Sequence, residues 1–117
     1  MSKLKKEEYY GNTEYKIFFA NMTRDKIEKY ATQLKFRLID GKGTALYFIG
    51  VSDDGHIIGL ERSTIKYHID TMTKIAETVN SKIVNIDINP VKDTNKQFLI
   101  IKIQANFSLD DIFFIND

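Results

Sequence analysis

Apolar residues recur at helical spacing in two stretches of this chain and alternate with polar ones in most of the rest. After Thr23, residues Ile27, Tyr30, Ala31, Leu34 and Leu38 return every three or four positions until Gly41, which predicts an amphipathic helix with a threonine N-cap and a glycine stop. Ser63 opens a second stripe, formed by Ile65, Ile69, Met72, Ala76 and Val79. Alternation over residues 14–20 places Tyr15, Ile17 and Phe19 on one face of a strand. Residues 45–51 are aromatic and β-branched, and Asp54-Gly55 predicts a hairpin turn into a short strand at 57–60. A fourth strand, 83–89, sets Val84, Ile86 and Ile88 on one side, and Pro90, which has no N–H for a ladder, closes it. In a fifth, 97–107, Leu99, Ile101 and Ile103 line one face while Lys102 and Gln104 face out.

The order is β-α-β-β-α-β-β. Two helices that each need one apolar face covered, over strands that mostly alternate, predict an α+β open-faced sandwich with both helices on one side. The specific expectation is a ferredoxin-like core with an added C-terminal edge strand. Residues 1–12 read as a flexible arm, 13–108 as a single domain, and 109–117 as an apolar and acidic tail. In that tail Ile112, Phe113, Phe114 and Ile115 are flanked by aspartates and asparagine. Each large apolar side chain that could be buried costs about 1.5–3 kcal/mol to leave in water. The four therefore either complete the core or cover a sheet edge of the same molecule, or they dock a partner or a second copy of the chain.

Composition narrows the function. At 117 residues and 43% hydrophobic content the chain fits one domain with a sizeable core. It has no cysteine, so disulfides and thiolate metal sites are excluded. No apolar run approaches bilayer-spanning length, and the lysine-rich start has no apolar segment after it, which points to a cytoplasmic protein without a membrane role. Seventeen basic residues against sixteen acidic ones give a net charge of +1, too little for strong nonspecific attraction to nucleic acid. Abundant isoleucine, lysine and asparagine with only three arginines and one proline suggest an AT-rich genome, such as that of a large DNA virus or an AT-rich protist.

The wording Gly-Lys-Gly-Thr-Ala-Leu-Tyr-Phe-Ile-Gly-Val-Ser-Asp-Asp-Gly at 41–55, with Thr-Gln-Leu-Lys-Phe-Arg-Leu at 32–38, resembles the N-terminal domain of the elongation-factor-like translational GTPases called GTP-binding proteins 1 and 2. Similar wording appears at 11–16, 72–79 and 95–99. In that family the last matching strand runs into a phosphate-binding loop. Here it continues as Ile103-Gln104-Ala105-Asn106, and no GxxxxGK[ST] occurs. Without backbone N–H groups that cradle phosphates and a lysine that reaches them, hydrolysis of that type has no physical basis, so neither nucleotide nor other cofactor is expected.

Residues 47–60 are also similar to the Schlafen-type AlbA-2 domain, some of whose members cut RNA with clustered carboxylates. That resemblance implies Glu14 with Asp53 or Asp54 around a divalent cation. The second glutamate expected shortly after Glu14 is missing, since Phe18, Phe19 and Ala20 follow Lys16. Asp53, Asp54 and His56 otherwise read as an ordinary Asp-Asp-Gly turn. His68 has Met72 rather than a ligand four residues on, so no metal is expected. Nucleophilic catalysis has no recognisable triad here. Lys35, Arg37 and Lys42, with Lys16 on a neighbouring strand, form the candidate contact for RNA or a ribosome, although cations near a helix C-terminus also favour its dipole.

The expected function is thus that of a non-catalytic binding module in translation or mRNA handling, docking on a translation factor, ribosome or RNA–protein complex. A divalent-metal RNase and a protein-interaction subunit with no RNA role are the alternatives.

Overall fold

The computed structural model describes residues 3–106. Its four strands are β1 (Thr13–Lys16), β2 (Thr44–Ile49), β3 (Ser81–Pro90) and β4 (Gln97–Ala105), and its helices are α1 (Arg24–Asp40) and α2 (Ile65–Thr78), the latter preceded by a 3₁₀ turn (Arg62–Thr64). The sheet order is β1-β2-β4-β3. β1 and β2 are parallel neighbours joined by α1, and β2–β4 and β4–β3 are antiparallel. This is the expected α+β open-faced sandwich, but with a mixed four-stranded sheet. The ferredoxin-like pairing with an added C-terminal edge strand is not adopted: β1 and β2 are direct neighbours with no strand between them, and the C-terminal β4 lies inside the sheet between β2 and β3.

α1 begins and ends where its sequence does. Thr23 Oγ1 accepts the Lys26 N–H at 3.2 Å, and the Gly41 N–H closes the last turn on the Arg37 carbonyl at 2.9 Å. Ala31, Leu34 and Leu38 from α1 meet Met72, Ile75 and Ala76 from α2 over Ala45, Tyr47 and Ile49 of β2 and Leu99, Ile101 and Ile103 of β4. The alternation expected in the last strand is thus the alternation observed, with Lys102 and Gln104 exposed opposite.

Other expectations failed locally. The segment 57–60 makes only the single bridges Val51–Ile57 and Leu60–Gln97. Gly50 and Gly59, at φ 98° and 87°, turn the chain out of the extended region on both sides of the tight turn, so no regular strand can run there. β1 stops at Lys16. Tyr15 pairs in register with Phe48 on the sheet face away from the helices, whereas Phe19, beyond the strand, folds back into the helix-side core. In β3 an irregularity between Ile83 and Asn85 shifts the register, so Ile83 and Ile86 pack against the core while Val84 and Ile88 are left 40% and 50% exposed. Ser63 lies inside the 3₁₀ turn, and Thr64 at the N-cap of α2 makes no side-chain cap bond.

Residues 3–12, the described part of the expected arm, are tied to the rest of the molecule. The Leu4 N–H donates to the Gly55 carbonyl at 2.6 Å, the Glu7 N–H to the Asp53 carbonyl at 2.7 Å, and the Tyr15 hydroxyl to the Lys5 carbonyl at 2.9 Å. The arm therefore lies over the tight turn and the β1 end of the outer face. Ile112, Phe113, Phe114 and Ile115 lie outside the described residues, as does the rest of the expected tail.

His68 adds a pH dependence to this core. It is buried on α2, its Nδ1 is 2.8 Å from the Thr64 carbonyl, and its Nε2 has no partner among the described residues. Nδ1 therefore carries the proton, and burial lowers the pKa from the ordinary 6.5. A base whose folded pKa is depressed destabilises the fold as pH falls below its unfolded pKa, because only the unfolded chain then takes up the proton. Stability measured by chemical denaturation between pH 5 and 8 should therefore fall, through this group, as pH drops below about 6.5. His68→Leu should remove that component.

Candidate functional site

The arm, β1 and the last turns of α1 enclose the one dense network of ionised side chains among the described residues. Strand alternation puts Glu14 and Lys16 on the helix side of β1, with Glu14 opposite Tyr47 of β2. Arg37, one turn from the end of α1, reaches down to it. Its Nε donates to Glu14 Oε1 at 2.9 Å, and its two terminal nitrogens donate to the carbonyls of Glu8 (3.0 Å), Tyr9 (3.3 Å) and Gly11 (3.0 Å). Only a planar guanidinium supplies donors in those directions at once. Lys16 completes the group, with Nζ 3.5 Å from Glu14 Oε2, 3.0 Å from Gln33 Oε1 and 4.5 Å from the Tyr30 ring centre. Tyr47 stands beside these charges with its hydroxyl buried and without a partner, and burial pushes its pKa far up.

Glu7 is the least comfortable member. Its Oε2 accepts the Tyr15 N–H at 2.6 Å and lies 3.9 Å from Arg37, too far for a strong ion pair. Burial, helped by the neighbouring Glu14 and Asp53 charges and opposed by the Tyr15 N–H, raises its pKa from 4.5 to about 7. An acid with a raised folded pKa stabilises the fold fully below its unfolded value and loses that contribution as pH climbs to the folded one. Glu7→Gln keeps an acceptor for Tyr15 and removes the titration. Above pH 7 it should be the more stable protein by about 1–2 kcal/mol, after allowance for solvent screening. Near pH 4.5 the two should unfold alike, and denaturation at both pH values checks it.

The residues expected to contact RNA or a ribosome do not form one free patch. Arg37 is buried and bonded to Glu14 and three arm carbonyls, and Lys16 is tied to Glu14, Gln33 and Tyr30. Lys35 and Lys42 alone are exposed, Lys42 at a φ of 55° in the turn after α1. The carboxylates of the nuclease alternative are likewise separated in role. Glu14 serves Arg37 and Lys16, whereas Asp54 sits in the exposed turn with Ser52 Oγ and His56 Nδ1 as partners, which hold its pKa well below the carboxylate range. Among the described residues no three His, Cys, Asp or Glu side chains are grouped to hold a metal ion. What sequence reasoning missed is Glu7. A glutamate in a charged terminal segment carries no periodic signal, and only the arm's return over β1 gives it a role.

No family model matches the chain. It is 30% identical over 118 residues to GTP-binding protein 2 of Mus musculus and to that of Homo sapiens, a match covering 86% of this chain and 19% of each relative. The similarity supports a domain like the N-terminal region of GTP-binding protein 2. An uncharacterized protein of Acanthamoeba polyphaga mimivirus is 33% identical over 114 residues, which cover 95% of this chain and 59% of that protein. The chain therefore spans about a fifth of the length of the GTP-binding protein 2 relatives and 59% of the viral one. These relatives give the Schlafen-type resemblance no support. Among the described residues no helix is long and apolar enough to cross a membrane.

Proposed function

We propose that this chain is a non-catalytic binding module of translation or mRNA handling, an accessory unit that docks on a translation factor, ribosome or RNA–protein complex in the cytoplasm. One observation carries the reading. The likeness to GTP-binding protein 2 runs through 86% of these residues, yet no GxxxxGK[ST] occurs in the 117, so what the likeness brings is the domain without the phosphate-binding loop. The ionised network supports it, because Arg37, Glu14 and Lys16 neutralise one another and Arg37 holds the arm in place.

Affinity capture of the tagged protein from its native cell, with and without RNase, followed by mass spectrometry, tests the proposal. Translation factors or ribosomal proteins retained after RNase are the expected result, and the absence of every translation and RNA component in both arms overturns it. Partners lost on RNase treatment would make RNA the tether. Lys35→Ala and Lys42→Asn are then the informative variants, since both side chains are exposed and asparagine tolerates the positive φ at 42.

A further inference from the structure

Tyr9, Tyr10 and Phe36 are 87%, 75% and 65% exposed, the three highest values among the large apolar and aromatic side chains described. They do not stand apart. All three line one concavity of about 550 Å³ between the arm and α1. The Tyr9 and Tyr10 rings meet edge to face, 4.9 Å between centres and 83° between planes, so they form two walls at a right angle, and Phe36 comes from the helix side. Side chains of this size gathered around one hollow mark a contact surface rather than scattered exposure.

Charge decides what fits. Glu7, Glu14 and Asp40 line the same hollow, against the single guanidinium of Arg37. That cation is neutralised where it stands, because its nitrogens are directed to Glu14 and to the carbonyls of Glu8, Tyr9 and Gly11. Asp40 uses one oxygen for the Gly11 N–H and Glu7 one for the Tyr15 N–H, and among the described residues neither acid has a cation within 3.5 Å. An aromatic-walled hollow that holds the Asp40 carboxylate, joined by Glu7 as it ionises above about pH 7, repels phosphate and attracts a positive charge that can sit against ring faces.

We infer that the hollow between the arm and α1 receives a lysine or arginine side chain from an extended, basic peptide segment of a partner protein. The inference rests on reading the chain as a binding module and names the chemistry of what it binds. A nucleic acid is disfavoured here for the reason a basic peptide is favoured. Each ring in contact with the cation contributes about 0.5–1 kcal/mol at so exposed a site, equivalent to about a two- to fivefold change in affinity.

The test needs only the purified full chain. Amide shifts are followed by NMR while a capped lysine-rich peptide, the same peptide with glutamate for lysine, and a single-stranded RNA oligonucleotide are titrated separately. The lysine peptide should move the Tyr10, Gln33, Phe36 and Asp40 amides, and the glutamate peptide and RNA should not. Tyr10→Ala and Phe36→Ala should each weaken the lysine peptide about two- to fivefold, and together about tenfold. Their melting temperatures should stay unchanged, because both rings are exposed. Failure of the lysine peptide to bind, affinity indifferent to both variants, or RNA shifting the same amides as strongly would overturn the inference. Such a failure leaves the capture experiment unaffected, since that reads partners from the cell whatever surface they use.

Discussion

Arg37→Met should cost about 3–5 kcal/mol of folding stability, although it replaces a single side chain near the end of a helix with another unbranched, helix-compatible one. Removing the guanidinium leaves the buried Glu14 carboxylate with only Lys16, at 3.5 Å, and strips donors from the carbonyls of Glu8, Tyr9 and Gly11. A buried charge deprived of its partner carries its desolvation penalty without compensation, which makes breaking such a pair far more costly than never having had it. Hence Arg37→Met combined with Glu14→Gln should recover a large part of the loss, and chemical denaturation of both singles and the double closes the cycle. Arg37→Lys should fall between, because an ammonium can stay near Glu14 but cannot serve three carbonyls on divergent lines. Additive losses in the double variant would show that the two side chains do not depend on each other. The same reasoning bars Arg37 as a probe of RNA contact, since any loss of binding in its variants would report a released arm.

That residue also shows where sequence reasoning reached its limit. Arg37 lies in the last turn of a helix whose cap, stripe and stop were all legible, and a cation there is favourable to the helix dipole whether or not it touches anything else. Nothing in the local pattern separates a solvated helix-end arginine from one that ties a strand to a distant segment. The information sits in Glu14, 23 residues earlier, and in carbonyls of the arm, 26 to 29 residues earlier. Periodicity reports which face of an element is apolar. It cannot report which ionised groups two elements bring together.

The fold was more legible because its core obeys those periods. Leu99, Ile101 and Ile103 alternate into the core, and the α1 stripe is buried at Ala31, Leu34 and Leu38. Misreadings collect where backbone dihedrals override side-chain pattern: at Gly50 and Gly59 around the tight turn, at the register shift in β3, and at the end of β1, where the alternation of Tyr15 and Phe19 continues past the last paired residue. Strand order was not legible either, since an apolar face does not specify which neighbour a strand takes.

The arm's placement gives the second large effect, at Gly55. This residue has a φ of 92°, and a Cβ built there would stand 2.1 Å from the Leu4 carbonyl oxygen and 2.8 Å from that of Lys5. Gly55→Ala thus meets two penalties. Left-handed backbone strain contributes about 1–3 kcal/mol, and the crossing arm must move, giving up the 2.6 Å bond from the Leu4 N–H to the Gly55 carbonyl at about 0.5–1.5 kcal/mol. The total expected loss is about 2–4 kcal/mol. A shortened chain that begins at Glu7 keeps the turn but lacks the crossing carbonyls, so there Gly55→Ala should cost only the strain. Denaturation of all four proteins measures the difference, and protection of the Leu4 and Glu7 amides from exchange should fall in the full-length variant. Equal cost in the long and short chains would mean that residues 3–6 do not lie across the turn. The Tyr9 and Tyr10 walls of the hollow would still be set against α1, because Arg37 holds the Tyr9 and Gly11 carbonyls and Asp40 accepts the Gly11 N–H.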